Sequence, residues 1–130
     1  KYVSIAINKR QEIYSVYEKE LQNFPGIEFL PFNKRTKQNY SYVPIRITGY
    51  KKRNRDDIYS LLKSEGIGVR KYFYPLVCQF VPFQNYWESS AGLLENAERL
   101  SAEILCLPIY PDMTSADIEL VISTLKKSLI

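Results

Sequence analysis

Three side chains between Arg70 and Tyr74 have the chemistry to bind a polar ligand. A guanidinium stays charged and can pair bidentately with a carboxylate or a diphosphate, which makes Arg70 the first candidate. Tyr72 and Tyr74 each combine a flat apolar ring with a hydroxyl, which suits stacking on a sugar or a base. Alternation along a strand places these two tyrosines on one face and Phe73 on the other. The structural alternative, a surface arginine and tyrosines that only pack, stays open.

The absence of histidine from the sequence excludes several catalytic groups. Histidine is the usual proton-transfer base and a common metal ligand. Without it, neither a Ser-His-Asp nor a Cys-His mechanism can be assembled. The two cysteines, Cys78 and Cys106, lack the spacing of a zinc or redox pair, so we expect reduced core thiols. Catalysis near this chain must therefore come mainly from another segment or from a cofactor.

The length and composition are those of one folded domain. The chain has 130 residues, of which 45% are hydrophobic and 25% are charged. No apolar run approaches the roughly 20 residues that span a bilayer, and the apolar stretch at the start is too short for a signal peptide. The sequence therefore predicts a cytoplasmic protein with no membrane partner.

The net charge of +4 raises the question of nucleic acid or phosphate ligands. Much of the positive charge lies in two short runs, residues 33–37 and 51–55. Such runs are usually solvated turns, and this is the simpler interpretation.

Hydrophobic periodicity indicates the first elements. Apolar residues at helical spacing predict an amphipathic helix over 8–23. Residues 42–48 are rich in β-branched and aromatic side chains, which predicts a strand, with Pro44 favouring an edge or strand-start position. A second helix of about three turns is predicted from a cap at Asn54 to a terminating Gly66.

The second half of the chain contains an unusual aromatic segment. A short strand is predicted over 67–70, and then residues 71–88 carry aromatics interrupted by prolines, with no helical or strand period. This segment either packs on the domain as an irregular wall or completes a site with another domain or subunit. Within it, Trp87 favours core or interface. A helix over 93–104 and a buried strand over 105–110 follow.

The last helix is predicted to begin after Thr114, which resembles an N-cap with Asp117 three residues on. Pro108 is expected to fix the chain as it leaves the buried strand, with no chemical role. The alternation of helices with few short strands predicts an α+β fold of the α/β sandwich type. In it, a small, mainly antiparallel sheet of about three strands is covered by about four helices.

Five segments of the chain carry a resemblance to a known family: residues 8–17, 42–46, 55–62, 65–70 and 97–114. In this order they resemble the C-terminal part of the DegT/DnrJ/StrS aminotransferases, which are fold-type I pyridoxal-phosphate (PLP) enzymes that mostly act on nucleotide-linked keto sugars. The resemblance covers essentially the whole chain and is sharpest near its end. One departure is the segment 70–76, where many relatives carry a histidine and this chain carries tyrosines and a basic pair.

The resemblance implies that residues 1–130 form the C-terminal small domain of a longer aminotransferase. The parent enzyme would transfer an amino group, typically from glutamate, to a nucleotide-linked keto-deoxy sugar in amino-sugar or cell-surface polysaccharide synthesis. Its PLP cofactor and Schiff-base lysine would belong to a large domain missing from this chain, and the parent would be a homodimer. We therefore expect the isolated chain to be inactive and to bind no cofactor or metal by itself.

The resemblance also gives the candidate residues a role. Substrate would enter a cleft between the large and small domains, where Arg70, Tyr72 and Tyr74 are candidates for contacting the nucleotide sugar or the amino donor. No lysine of the chain lies in the family's Schiff-base context. Lys51, Lys52 and Lys71 are interpreted as surface charges.

Two other function classes remain open from the sequence. The aromatic run and the basic runs are compatible with a stand-alone module that binds RNA or single-stranded nucleic acid, although no recognition-module motif accompanies them. A small regulatory ligand-binding domain is the third interpretation. The main interpretation, a sugar aminotransferase domain, includes no nucleic acid partner.

Overall fold

A computed structural model describes residues 2–33, 35–49, 53–83, 85 and 92–130. In that part of the chain, helices and short strands alternate around one core. The segment after β3 contains two short 3-10 turns, Val77–Gln79 and Val81–Phe83. The elements are α1 (Val3–Leu21), β1 (Ile27–Phe29), β2 (Val43–Ile47), α2 (Arg55–Ser64), β3 (Arg70–Lys71), α3 (Glu95–Glu103), β4 (Ile104–Leu107) and α4 (Ser115–Leu129).

The strands form one antiparallel sheet in the order β1-β2-β4-β3. This confirms the predicted α+β class with a small antiparallel sheet. The described residues contain four strands, and the sequence predicted about three. The additional strand, β1, has three residues after the Phe24-Pro25-Gly26 turn, too few for alternation to be recognised. β3 begins at Arg70 and not at the predicted Ile67, because residues 67–69 pack without pairing to β4.

Pro44 lies in an interior strand, so the edge-strand alternative is wrong. β2 pairs with β1 on one side and with β4 on the other. The pairing of β1 stops opposite Ile45, and Pro44 lies one residue beyond it, at the start of β2. The strand-start alternative therefore describes its position, because the missing N–H falls where β1 has already ended.

One face of the sheet carries the core. Val43, Ile45 and Ile47 alternate inwards along β2 and pack with buried residues of α1, α2 and α4. Tyr17 is fully buried, and its hydroxyl donates a hydrogen bond of 3.1 Å to the carbonyl of Pro108. This bond ties α1 to the chain that leaves β4. α1 begins at Val3, five residues before the predicted start, because nothing in residues 3–8 interrupts a helix.

The two predicted helix N-caps, Asn54 and Thr114, are confirmed. The Asn54 side chain accepts hydrogen bonds from the N–H groups of Asp56 and Asp57, and the Asp57 carboxylate accepts one from the Asn54 N–H. Thr114 and Asp117 make the same reciprocal capping box at α4. Each box satisfies backbone donors that the first turn of a helix leaves unpaired.

The second face of the sheet is covered in part by α3. Arg46 on this face donates to Glu103 of α3 at 2.6 and 2.9 Å and pairs with Glu28 of β1 at 2.7 Å. Ile104 and Cys106 of β4 are buried outside the main core cluster. Among the described residues, no helix has the length and apolar character needed to cross a bilayer.

Candidate functional site

A cavity of about 420 Å³ lies where β4 leads into α4. Its wall combines residues of the α2–β3 connection, of β3 and β4, of the chain just before β2 and of the first turns of α4. A volume of this size is within the range of small-molecule sites. The polar and aromatic residues that line it include Tyr42, Arg70, Cys106, Tyr110 and Asp117.

Arg70 provides the positive charge of this cavity. It lies on the edge strand β3 opposite Cys106 of β4, and its side chain is exposed. Within the described ranges, no carboxylate pairs with its guanidinium. Burial raises the pKa of the Cys106 thiol to about 11, and the charge of Arg70 opposes that rise. Cys106 is therefore a neutral buried thiol, and Arg70 is available to an anionic ligand.

Asp117 is the acidic residue of the cavity wall, but it already has a structural role. Its carboxylate accepts hydrogen bonds from the N–H and the hydroxyl of Thr114 at 2.9 and 2.8 Å. These bonds lower the pKa of Asp117. An ionised capping carboxylate is suited to holding α4 and not to exchanging protons at neutral pH.

Tyr72 lies beside the cavity through its contact with Tyr42. The two ring centroids are 4.7 Å apart, and the Tyr72 ring also lies 3.8 Å from that of Phe73. Burial and the neighbouring Tyr42 raise the pKa of Tyr72, so its hydroxyl stays protonated. The predicted alternation, with Phe73 opposite Tyr72, is wrong because β3 ends at Lys71 and the chain turns there.

Tyr74 belongs to a different cluster. The guanidinium carbon of Arg55 is 4.8 Å from the centre of its ring, and the Lys71 Nζ is 5.5 Å away. About half of the Tyr74 side chain is exposed, at 51%. The structure therefore groups Arg70 and Tyr72 around Tyr42 and places Tyr74 with two cations that the sequence analysis did not connect to it.

Those cations share one carboxylate. The Nε of Arg55 and the Nζ of Lys71 each lie 2.7 Å from Oδ1 of Asp56. The hydrogen bond from Lys71 is the main cause that lowers the pKa of Asp56, and Arg55 lowers it further. We call Arg55, Asp56 and Lys71 the ionic cluster. The interpretation of Lys71 as a simple surface charge is wrong, because its side chain is only 25% exposed and is paired.

Sequence reasoning missed Arg55 because arginine is mostly exposed in proteins, and here the residue is buried. The available signal was its place directly after the Asn54 cap, where a long side chain points back over the start of the helix. Trp87, Lys51 and Lys52 lie outside the described residues, as does Lys34 of the first basic run.

Nearly the whole chain matches one protein family. The sequence model of the DegT/DnrJ/EryC1/StrS aminotransferase family matches residues 1–126. The chain belongs to this family. The resemblance recognised in the sequence is thereby confirmed.

Two curated relatives of this family member share one enzyme name with each other. The dTDP-4-amino-4,6-dideoxy-D-glucose transaminase of Escherichia coli is 40% identical over 113 residues, which are 87% of this chain and 30% of that enzyme. The Shigella dysenteriae enzyme is 29% identical over 111 residues, which are 85% of this chain and 30% of that enzyme. This DegT/DnrJ/EryC1/StrS family member therefore spans 30% of the length of these two relatives.

Solved structures show the same fold. The aminotransferase TlmJ from Streptoalloteichus hindustanus has a TM-score of 0.83 at 23% identity, over 98% of this chain and 33% of that one. DesI, crystallised in the presence of its TDP-sugar product, has a TM-score of 0.81 at 26% identity, over 97% of this chain and 32% of that one. Each match covers nearly all of this chain and about a third of the other.

The family implies PLP, which is held by a lysine, an acidic partner for the pyridine nitrogen and donors for the phosphate. The described residues that line the cavity do not provide that set. No lysine is among the described residues that line the cavity, and Lys71, Lys126 and Lys9 are paired with Asp56, Glu20 and Asp112. No cluster of three metal-binding side chains occurs in the described ranges either. The described residues that line the cavity therefore do not fit PLP.

Proposed function

We propose that this chain is the C-terminal small domain of a PLP-dependent aminotransferase that acts on a nucleotide-linked keto-deoxy sugar. The observation that carries the proposal is the 40% identity to the E. coli transaminase over most of this chain. The name of that relative specifies an amino group at carbon 4 of a 4,6-dideoxy sugar on dTDP. Transamination replaces C=O by CH–NH₂, so the corresponding acceptor is the 4-keto-6-deoxy sugar nucleotide.

The proposal divides the work between two domains. A large domain of the same polypeptide supplies the lysine and the rest of the PLP site, and the parent enzyme is a homodimer. Glutamate donates its amino group and leaves as 2-oxoglutarate, so the reaction balances without an external oxidant. Both substrates are metabolites of the cytoplasm, and the proposal includes that location.

This domain contributes part of the substrate wall. Arg70 lines the cavity and has no carboxylate partner among the described residues. This supports contact between its guanidinium and a diphosphate or the carboxylate of the amino donor. Tyr72 and Tyr42 form an aromatic pair beside it, which supports stacking on the sugar or the base. We include Tyr74 as a further residue of the substrate wall, and the ionic cluster holds its ring in place.

The experiment uses the full-length parent enzyme. The purified protein is incubated with glutamate and dTDP-4-keto-6-deoxyglucose, and 2-oxoglutarate and the sugar nucleotide are measured by mass spectrometry. We expect 2-oxoglutarate to exceed one equivalent per active site only when the keto sugar is present, because each cofactor can accept one amino group from glutamate without it. The same amount of 2-oxoglutarate without the keto sugar, or none with any keto sugar nucleotide, would contradict the proposal.

A second measurement tests the division between domains. Borohydride reduction in the presence of PLP should fix the cofactor on one lysine of the parent enzyme, at a position outside residues 1–130. The isolated chain, treated in the same way, should give no stoichiometric adduct on any single lysine. A stoichiometric adduct on one lysine of this chain would overturn the assignment of the cofactor to the large domain.

A further inference from the structure

We propose that Arg55 and Lys71 are positioning residues that fix the aromatic segment 72–83 on the domain. Arg55 contacts both the start of that segment and the junction between α3 and β4. Its Nη1 donates to the carbonyls of Ser101 at 2.8 Å and Ile104 at 3.2 Å, while its guanidinium lies over the Tyr74 ring. One side chain thus holds the beginning of the segment against the end of α3 and the start of β4.

Lys71 provides the second attachment. Its Nζ is paired with Asp56 and lies 4.6 Å from the ring of Tyr59 and 5.5 Å from that of Tyr74. The ammonium is therefore held between two aromatic rings, one on α2 and one on the segment. Cations over aromatic faces are stabilised further when they are partly desolvated, as they are here.

The charge balance favours a positioning role over plain packing. The ionic cluster contains two cations and one carboxylate, and both cations contact the same Asp56 oxygen. Arg55 is buried, with its side chain 1% exposed. A buried guanidinium is costly unless it is paired and hydrogen-bonded, and here Asp56 and two carbonyls accept its hydrogen bonds while the Tyr74 ring adds a cation–π contact at 4.8 Å. The position of Tyr74 is thus linked to the stability of the cluster.

Among the described residues, the segment has few attachments besides this cluster and the contact of Tyr72 with Tyr42. Its two 3-10 turns are held there by short-range backbone bonds that Gln79, Phe80 and Phe83 donate, and by a bond from the Leu76 N–H to the Gln79 side chain. Apolar side chains on it are exposed, with Val77 at 68% and Val81 at 81%. A segment with so few local bonds and so much exposed apolar surface needs an anchor to hold one conformation.

The first test follows backbone amide exchange in this 130-residue chain and needs no substrate. Lys71→Met and Arg55→Met should accelerate exchange of the Gln79, Phe80 and Phe83 amides about 5- to 30-fold. Exchange in α4 should change much less. The matched control is Lys126→Met, which breaks the Lys126–Glu20 pair at a similarly exposed lysine of α4 and should leave the segment unchanged. Lys71→Arg should restore the protection.

The exchange result decides between local anchoring and general stabilisation. Equal acceleration in the segment and in α4 would mean that the cluster only stabilises the fold, and unchanged exchange in the segment would mean that it anchors nothing. Either result overturns the proposal. If Arg55→Met fails to fold, Lys71→Met alone carries the test, because the Lys71 side chain is partly exposed.

A second test rests on the proposed function and uses the full-length enzyme. Lys71→Met should raise KM for the sugar nucleotide about 10-fold and change kcat much less, because the wall moves while the chemistry stays in place. Lys71→Arg should restore KM. If the wild-type enzyme transfers no amino group, the proposed function fails while the exchange test still stands. An unchanged KM in an active Lys71→Met enzyme would contradict the positioning role.

Discussion

The ring of Tyr72 lies 4.7 Å from the ring of Tyr42, although the two residues are thirty positions apart in the chain. Tyr42 precedes the interior strand β2 and Tyr72 follows the edge strand β3, so their contact reaches across β4. Arg70 and Cys106 line the cavity next to this pair, and Cys106 is also a neighbour of Tyr72. The pair therefore forms an aromatic wall next to Arg70, whose charge has no carboxylate partner in the part of the chain that the structure describes, and the proposed function uses this arrangement.

Replacement of Arg70 should weaken substrate binding in the full-length enzyme. We expect Arg70→Ala to raise KM for the sugar nucleotide or for glutamate about 10- to 100-fold, the usual cost of a lost charge-assisted hydrogen bond. Steady-state kinetics with each substrate varied will show which anion it binds. Arg99→Ala, at an exposed arginine of α3, is the matched control and should have no effect. Unchanged KM values for both substrates would remove Arg70 from the site.

Tyr72 should act through its ring more than through its hydroxyl. Tyr72→Phe keeps the aromatic pair with Tyr42 and should change KM for the sugar nucleotide less than threefold, whereas Tyr72→Ala should raise it about 3- to 10-fold. The comparison of the two variants in one kinetic series is the measurement. A loss as large for phenylalanine as for alanine would show that the hydroxyl carries the interaction.

Asp56 should make part of the stability of the domain dependent on acid pH. Because Lys71 and Arg55 lower its pKa in the folded state below the ordinary value of 3.8, its contribution is present above that value. The contribution is lost as the pH falls through the lowered pKa. Asp56→Asn should therefore destabilise the chain at pH 7 and approach wild-type stability in acid.

Urea unfolding curves at a series of pH values measure this difference for Asp56→Asn. Asp117→Asn is the comparison, because the pKa of Asp117 is lowered by a different group, Thr114, at the start of α4. A stability difference between wild type and Asp56→Asn that does not shrink below pH 3.8 would contradict the assigned cause.

The cap of α4 should have a measurable effect on folding. Thr114→Ala removes the hydroxyl that accepts the Asp117 N–H and should lower the free energy of unfolding by about 1 kcal/mol. Thr114→Ser keeps the hydroxyl and should remain within a few tenths of a kcal/mol of wild type. Chemical denaturation of the three proteins measures both effects, and equal losses in the two variants would show that the methyl group matters and not the cap.

The sequence predicted those parts of the fold that depend on local chemistry. The caps at Asn54 and Thr114 follow from short-range hydrogen bonds, and the buried run of β4 from consecutive apolar residues, so both are recognisable without the fold. β1 was missed because a strand of three residues depends on its partner and not on its own pattern.

The site was predictable only in part. Arg70 and Tyr72 stand out by residue type, but the contact of Tyr72 with Tyr42 depends on strand order, which a single sequence does not contain. The burial of Arg55 was hidden for the same reason, since its carbonyl acceptors at Ser101 and Ile104 are more than forty residues away. Long-range pairings of this kind require the structure.

The most direct test of the central claim follows the nitrogen atom. The full-length enzyme is incubated with glutamate labelled with nitrogen-15 and with the 4-keto-6-deoxy sugar nucleotide, and the label is located by mass spectrometry. We predict that the label appears on the sugar ring, and that the 130-residue chain alone transfers none. Absence of label from every keto sugar nucleotide offered to an active, PLP-loaded parent enzyme would contradict the account.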